Sequence, residues 1–291
     1  MCPRIFQIGP FTVYSYGLML GIAFIVASWL LTKEFERRKM DPNLSTEITL
    51  YAIIFGIIGA KLFSLFENWD AFLADPLGEI FSPGGLTFYG GFLLAATAII
   101  MLAKKKKIPY TVFGDALAPS LAIAYGIGRI GCHLAGDGDY GLPTSLPWGT
   151  NYENGTVPPS YAFRGSEIAQ NYPNGIVPDN TPLHPTPVYE FLIMLGIFFI
   201  LYRLNRKQNW HDGKVFFIYL ILAGIERLSI EFIRLNPRLL FGLSEAQLIA
   251  IGLILCGSTG VFYLSQKKEL NKFVPPPLKD KDKSKEPNHK N

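Results

Sequence analysis

Three stretches, Val13–Thr32, Leu86–Ala103 and Ala246–Leu264, run for eighteen to twenty residues without an Asp, Glu, Lys, Arg or His. A helix needs roughly twenty apolar residues to cross hydrocarbon about 30 Å thick. Backbone groups in lipid must be satisfied within the segment itself, so these stretches read as spanning helices. Ile48–Phe66 adds a fourth with one charge, Lys61. Three further apolar runs are interrupted: Val112–Leu134 by Asp115, Arg129 and His133, Val188–Leu204 by Glu190 and Arg203, and Val215–Arg234 by Glu226, Arg227, Glu231 and Arg234. The expected fold is an all-α integral membrane protein, a polytopic bundle of seven transmembrane helices. Composition agrees, since 49% of the 291 residues are hydrophobic and only 17% charged, against about a quarter charged in soluble domains. That balance excludes disordered, collagen-like and coiled-coil classes and argues against a soluble enzyme. Cys2, Cys132 and Cys256 make neither a disulfide framework nor a zinc spacing.

Lysine and arginine set the orientation. Lys33, Arg37, Arg38 and Lys39 follow the first run, and Lys104 to Lys107 follow the third. Arg203, Arg206, Lys207 and Lys214 lie between the fifth and sixth, and eight lysines occupy the chain from Lys267 onward. The alternate connections are nearly bare: 67–85 has four acids and no Lys or Arg, and 135–186 has Arg164 alone. This pattern predicts an N-terminus outside and a cytoplasmic C-terminus. Residues 1–272 form the expected membrane domain, including the long outer loop 135–186, which has no helical period. Residues 273–291, with Pro275–Pro277 and alternating Lys and Asp, read as a solvated tail. No cleavable signal peptide is expected. The net charge of +4 comes from these clusters, so no nucleic-acid partner is expected.

An ionisable residue inside a span is costly unless paired or hydrated, which makes it a functional candidate. By this topology Lys61, Arg129, His133, Arg227, Glu231 and Arg234 lie in the outer halves of their spans. Tyr16, Tyr89 and Glu190 lie near the outer ends of theirs. Arg129, Cys132 and His133 are spaced i, i+3, i+4, and Arg227, Glu231 and Arg234 are spaced i, i+4, i+7, so each set shares a helix face. Two arginine faces with Lys61 make a grip for phosphate, because Arg offers phosphate oxygens a bidentate fork. The competing reading is an internal Arg227–Glu231 pair that ties the bundle together, which leaves Arg129 and Arg234 unexplained. Gly84, Gly85, Gly90 and Gly91 open the third span and let a ligand or another helix approach closely. Gly136-Asp137-Gly138-Asp139-Tyr140-Gly141 spaces acids as calcium loops do, but is too short for an EF-hand. No metal is assigned.

Five stretches carry a resemblance: Tyr16-Gly17-Leu18-Met19, Gly84 through Gly91, Gly128-Arg129-Ile130-Gly131, His184-Pro185-Thr186-Pro187-Val188-Tyr189-Glu190, and Glu226-Arg227 through Glu231-Phe232 to Arg234. In this order, with seven spans, the chain resembles the bacterial prolipoprotein diacylglyceryl transferase family. The resemblance implies transfer of a diacylglyceryl group from phosphatidylglycerol to the lipobox cysteine of a prolipoprotein signal peptide, without a cofactor, at the outer side of the cytoplasmic membrane. It implies that Arg129 and Arg227 hold the phosphate, that Tyr16 lines the cavity and that Glu231 orients Arg227. Lys61 stands where the family often has Arg. Two departures stand out. Tyr89 occupies the position of the family's favoured histidine base, and tyrosine, with a reference pKa of about 10, is a poor base near neutrality. Cys132 and His133 follow Gly131 where the family usually has Asn first, and His133 is a candidate replacement base, set against a merely interfacial histidine.

Other functions compete. The chain could use phosphatidylglycerol with a different acceptor, or it could bind anionic phospholipid or lipoproteins without chemistry. Tyr89 favours the non-catalytic reading; Arg129, Arg227, Glu231 and Tyr16 oppose it. A transporter is disfavoured by the lack of an inverted repeat.

Overall fold

The computed structural model describes residues 1–9, 11–82, 87–207, 210–267 and 273–274. Gly84, Gly85 and the tail beyond 274 lie outside the described residues. The chain opens with an antiparallel hairpin, β1 (Arg4–Ile8) and β2 (Phe11–Tyr14), that leads into α1 (Ser15–Arg37). α2 (Leu44–Glu67), the short α3 (Trp69–Ala74) and α4 (Pro76–Phe81), α5 (Phe88–Lys105) and α6 (Tyr110–Ala135) follow. The outer loop contains a short α-helix, α7 (Pro159–Ala162), and two 3-10 turns (Ala169–Asn171 and Pro173–Gly175), before α8 (Thr186–Leu204) and α9 (Lys214–Glu231). A second hairpin, β3 (Arg238–Leu240) and β4 (Leu243–Ser244), precedes α10 (Glu245–Ser265). Six helices among the described residues, α1, α2, α5, α6, α8 and α10, are long and apolar enough to cross a membrane. α9 has 18 residues but carries Glu226, Arg227 and Glu231 in its second half. The run expected to stay helical to Arg234 leaves the helix at Glu231.

The chain forms two compact units, one within Met1–Ala27 and Gly114–Asn271, the other within Ser28–Phe113. In the second unit α2 and α5 meet through glycine. A Cβ on Gly90 would collide with the Gly59 carbonyl and the Phe63 side chain, and one on Gly91 would lie 2.8 Å from the Gly56 carbonyl oxygen. Helices in lipid gain from such close backbone contact because they lack a hydrophobic drive to associate. At the basic end of α1, Glu34 is buried and pairs with Arg37 and Arg38, each at 2.6 Å.

In the first unit, Ala118 and Ala122 of α6, Met194, Ile197 and Leu201 of α8, and Val215 of α9 form a buried core. Gly224 and Gly257 bring α9 and α10 into backbone contact. Pro119 lies inside α6 and has no N–H, so the carbonyl four residues earlier, that of Asp115, loses its helical donor. Asn205 Nδ2 supplies one at 3.0 Å. The Asp115 side chain accepts the N–H groups of Gly213 (2.7 Å) and Phe216 (2.8 Å), capping α9. Asp115, an interrupting charge in the fourth span, is thus a structural cap that fixes α9 against α6. The outer loop builds its own small core from Tyr140, Tyr152, Phe163, Ala169, Val177 and Leu183.

Replacing Gly90 by Ala tests the helix contact in the second unit. Overpacking of this kind costs about 1–3 kcal/mol, so Gly90→Ala is expected to unfold at a clearly lower temperature in detergent. An unchanged melting temperature would mean that α2 and α5 do not meet there.

Candidate active site

Helical spacing and close packing bring the functional side chains of the first unit together. A Cβ on Gly126 would lie 3.2 Å from Phe191 Cδ2 and 3.4 Å from Met194 Cβ, so α6 and α8 run close at this level. Tyr125 and Arg129 share a face of α6, with the guanidinium carbon 5.3 Å from the Tyr125 ring centre. Glu190 stands in the second turn of α8 and has no solvent exposure. A carboxylate in such a place must be paired.

Glu190 is paired from two helices. Arg129 Nη2 donates to its Oε1 at 2.7 Å, and Arg129 Nε lies 2.7 Å from Oε2. Arg227 Nη1 donates to Oε1 at 3.3 Å, and the Tyr125 hydroxyl donates to the same oxygen at 3.1 Å. Arg227 Nη2 is 3.3 Å from Glu231 Oε2. Glu231, also buried, accepts from Asn236 Nδ2 at 2.7 Å and from the Ser244 hydroxyl at 2.6 Å. The expected Arg227–Glu231 pair is therefore present within a larger network. Glu226 is buried as well, and its Oε1 has no hydrogen-bond partner among the described residues.

The loop after α6 adds the remaining acid. Asp139 bridges Arg129 and Arg234, one carboxylate oxygen to each guanidinium. Gly136 (φ +59°) and Gly138 (φ +94°) adopt backbone conformations that side chains disfavour, and this brings the loop back over the helix ends. Hydrogen bonds lock it there: Gly141 N–H to the His184 carbonyl (2.8 Å), Leu142 N–H to the Ile233 carbonyl (2.9 Å), and the Thr186 hydroxyl to the Asp139 carbonyl (2.6 Å). Burial alone would raise the Asp139 carboxyl, but Arg129 and Arg234 outweigh it and hold the group down to about 2. Asp137 is raised, by burial and then by repulsion from Asp139. Ligand atoms of Cys132, Asp137 and Asp139 lie within 4.8 Å of one another, but two guanidiniums already neutralise Asp139 and disfavour a cation beside it.

Of the residues expected from the sequence, Arg129, Arg227, Arg234, Glu190 and Glu231 meet in this network. Tyr16 is half exposed at the start of α1, where a Cβ on Gly131 would lie 3.3 Å from its ring Cδ2. His133 Nδ1 is 2.9 Å from the Tyr152 hydroxyl in the outer-loop core. Lys61 and Tyr89 belong to the second unit. Lys61 Nζ donates to the Ser82 hydroxyl (2.8 Å) and carbonyl (3.1 Å), and Tyr89 packs edge-on against Phe88 at 5.7 Å. Gly90 and Gly91 face α2 as described above. Sequence reasoning singled out the segment Gly136 through Gly141 for its acid spacing but did not place Asp139 in the site, and it missed Tyr125, which lies one turn before Arg129.

A family model described as prolipoprotein diacylglyceryl transferase matches residues 3–263. Among curated relatives, the phosphatidylglycerol–prolipoprotein diacylglyceryl transferase of Leptospira interrogans is 33% identical over 245 residues, 76% of this chain and 71% of the relative. The proteins of the same name from Clostridium tetani and Bacillus cytotoxicus are each 31% identical. They cover 88% and 85% of this chain and 95% and 86% of their own lengths, respectively.

Two outcomes follow from the charge pairing. Glu190→Gln leaves Arg129 and Arg227 short of a buried counterion, and breaking a buried pair costs about 3–5 kcal/mol. Denaturant or thermal unfolding in detergent should register that loss, and a change below about 1 kcal/mol would contradict the pairing. Asp139 is depressed in the folded state, so its contribution is complete above its unfolded value of about 3.9 and is lost as pH falls through about 2. The melting-temperature difference between wild type and Asp139→Asn should therefore hold steady from about pH 5 upward and close on acidification from about 4 to 2. A difference that persists at the acid end would rule out the ionised bridge.

Proposed function

The chain belongs to the prolipoprotein diacylglyceryl transferase family, and on that footing we propose that it moves a diacylglyceryl group from phosphatidylglycerol to the lipobox cysteine of a prolipoprotein signal peptide. It is a transferase with several apolar helices of membrane-spanning length. The names of its relatives give phosphatidylglycerol and prolipoprotein, which supports this donor and this class of acceptor. The observation that carries the reading is the meeting of Arg129, Arg227 and Arg234 around buried acids at the ends of α6 and α9.

The cysteine sulfur attacks the glycerol carbon that bears the phosphoester. A C–S bond forms, the C–O bond breaks, and its electron pair departs on glycerol phosphate. Negative charge grows on phosphate oxygens, where preorganised guanidiniums stabilise it most in a water-poor site. Arg129 and Arg227 supply that field, with Arg234 beside them, and Glu190 and Glu231 position the guanidiniums. Tyr16 lines the approach. His133 takes the thiol proton: in the tautomer whose Nδ1–H donates to Tyr152, Nε2 is the accepting nitrogen. In the membrane, α9 is the sixth span in chain order and brings the total to seven, and its charged half is sheltered by the arginine–carboxylate pairing. The Lys and Arg distribution supports an N-terminus outside, a cytoplasmic tail formed by 273–291, and an active site toward the outer face of the bacterial cytoplasmic membrane.

Purified protein with phosphatidylglycerol and a single-cysteine lipobox peptide should add one diacylglyceryl unit to the peptide by mass spectrometry. Arg129→Ala should lower the rate by about 10²–10³-fold, as for loss of an oxyanion donor, and His133→Gln should lower it as well. Phosphatidylglycerol consumed without peptide gain would move the assignment to another acceptor. No consumption, with an active relative working in parallel, would leave a lipid-binding protein.

A further inference from the structure

Arg129 and Arg234 come from different segments, and among the described residues the acid they share is Asp139. Arg129 spends Nε and Nη2 on Glu190 and turns Nη1 to Asp139. Arg234, only 8% exposed, turns Nη2 to the other Asp139 oxygen. Two oxygens of one anion, each on a separate guanidinium, is also the way a phosphodiester presents its two non-bridging oxygens. Arg227, by contrast, is held between Glu190 and Glu231, both fully buried and fixed on helices.

Asp139 differs from those two acids. Its side chain is 32% exposed, and it sits on a loop rather than a helix. Its main chain is held independently of its carboxylate, through the Thr186 hydroxyl on its carbonyl and the N–H groups of Gly141 and Leu142 downstream. The side chain can therefore turn toward water without unravelling the loop.

We propose that Asp139 is an internal stand-in for the substrate's phosphate: it occupies the Arg129–Arg234 seat when the site is empty and yields that seat to the anionic phosphodiester of a phospholipid. This rests on the functional reading above. The exchange keeps two buried guanidiniums neutralised before and after binding, which avoids the cost of an uncompensated buried charge. It also sets selectivity. An anionic headgroup replaces the charge that Asp139 withdraws, whereas a zwitterionic headgroup brings a cation that offsets the gain. The stand-in competes with lipid, so it weakens binding in return for a site that is stable when empty.

The test is the dissociation constant of the purified full chain in neutral detergent, by calorimetry, for short-chain phosphatidylglycerol, short-chain phosphatidylcholine and inorganic phosphate. Asp139→Asn should bind phosphatidylglycerol about tenfold tighter than wild type, as expected when a competing close charge pair is removed. Asp139→Glu should stay near wild type, and phosphatidylcholine affinity should not move. Asp139→Ser carries the same prediction if Asp139→Asn does not fold. Unchanged or weaker phosphatidylglycerol binding by the neutral variants would overturn the proposal. So would a gain confined to inorganic phosphate, which would assign the seat to a free anion. If wild type modifies no peptide, the transferase reading fails while this comparison still stands. If peptide modification is intact and the neutral variants bind no tighter, the stand-in alone fails.

Discussion

Glu190 has no contact with solvent, and a bare carboxylate there would cost several kcal/mol. Its charge is tolerated because Arg129 from α6 and Arg227 from α9 reach it, with the Tyr125 hydroxyl as a further donor. Each of those arginines needs more than a share of one carboxylate. Arg227 takes Glu231, and Arg129 takes Asp139, which draws in Arg234. The network is thus a chain of mutual requirements spread over α6, α8, α9 and the loop after α6. Removing one member leaves a neighbour buried and uncompensated, so stability and the proposed chemistry depend on the same residues.

The scaffold beneath this network uses backbone chemistry as much as packing. Pro119 frees the Asp115 carbonyl, Asn205 satisfies it, and the Asp115 side chain caps α9. That set fixes the basic end of α9 against α6. Gly126 sets the α6–α8 spacing near the other end, at the level of Tyr125 and Arg129. Arginine forks tolerate little misplacement, since a bidentate geometry is lost over a fraction of an ångström. The rigid helix contacts therefore serve the site directly.

Much of this was legible in the sequence, for physical reasons. Long uncharged runs have few alternatives to spanning helices, and the helices found closely overlap them. Arg129, Arg227 and Glu231 were legible because ionisable groups in apolar helices need partners, and helical spacing aligned them. The rest depended on non-local geometry. Asp139 was hidden because only the two positive-φ glycines at 136 and 138 return it to the helix ends. Gly90 and Gly91 left a ligand or another helix open as the close neighbour; they pack against α2, which only the neighbouring helix reveals. The outer loop, without periodicity, folds around Tyr140, Tyr152 and Phe163, which touch through turns rather than regular structure. His133, one residue beyond Cys132, is taken up by Tyr152 of that core.

A phosphate grip, as proposed for these arginines, differs from a buried lattice of ion pairs in what it does when lipid arrives. It is distinguished by an experimental structure with a phosphonate analogue of phosphatidylglycerol, in which a methylene replaces the bridging oxygen and so removes the C–O bond that breaks. A grip places phosphonate oxygens within hydrogen-bond reach of Arg129 Nη1 and Arg234 Nη2, with the Asp139 carboxylate turned out of the seat and the Glu190 pairs intact. Headgroup density elsewhere, with Asp139 still bridging both guanidiniums, would contradict it.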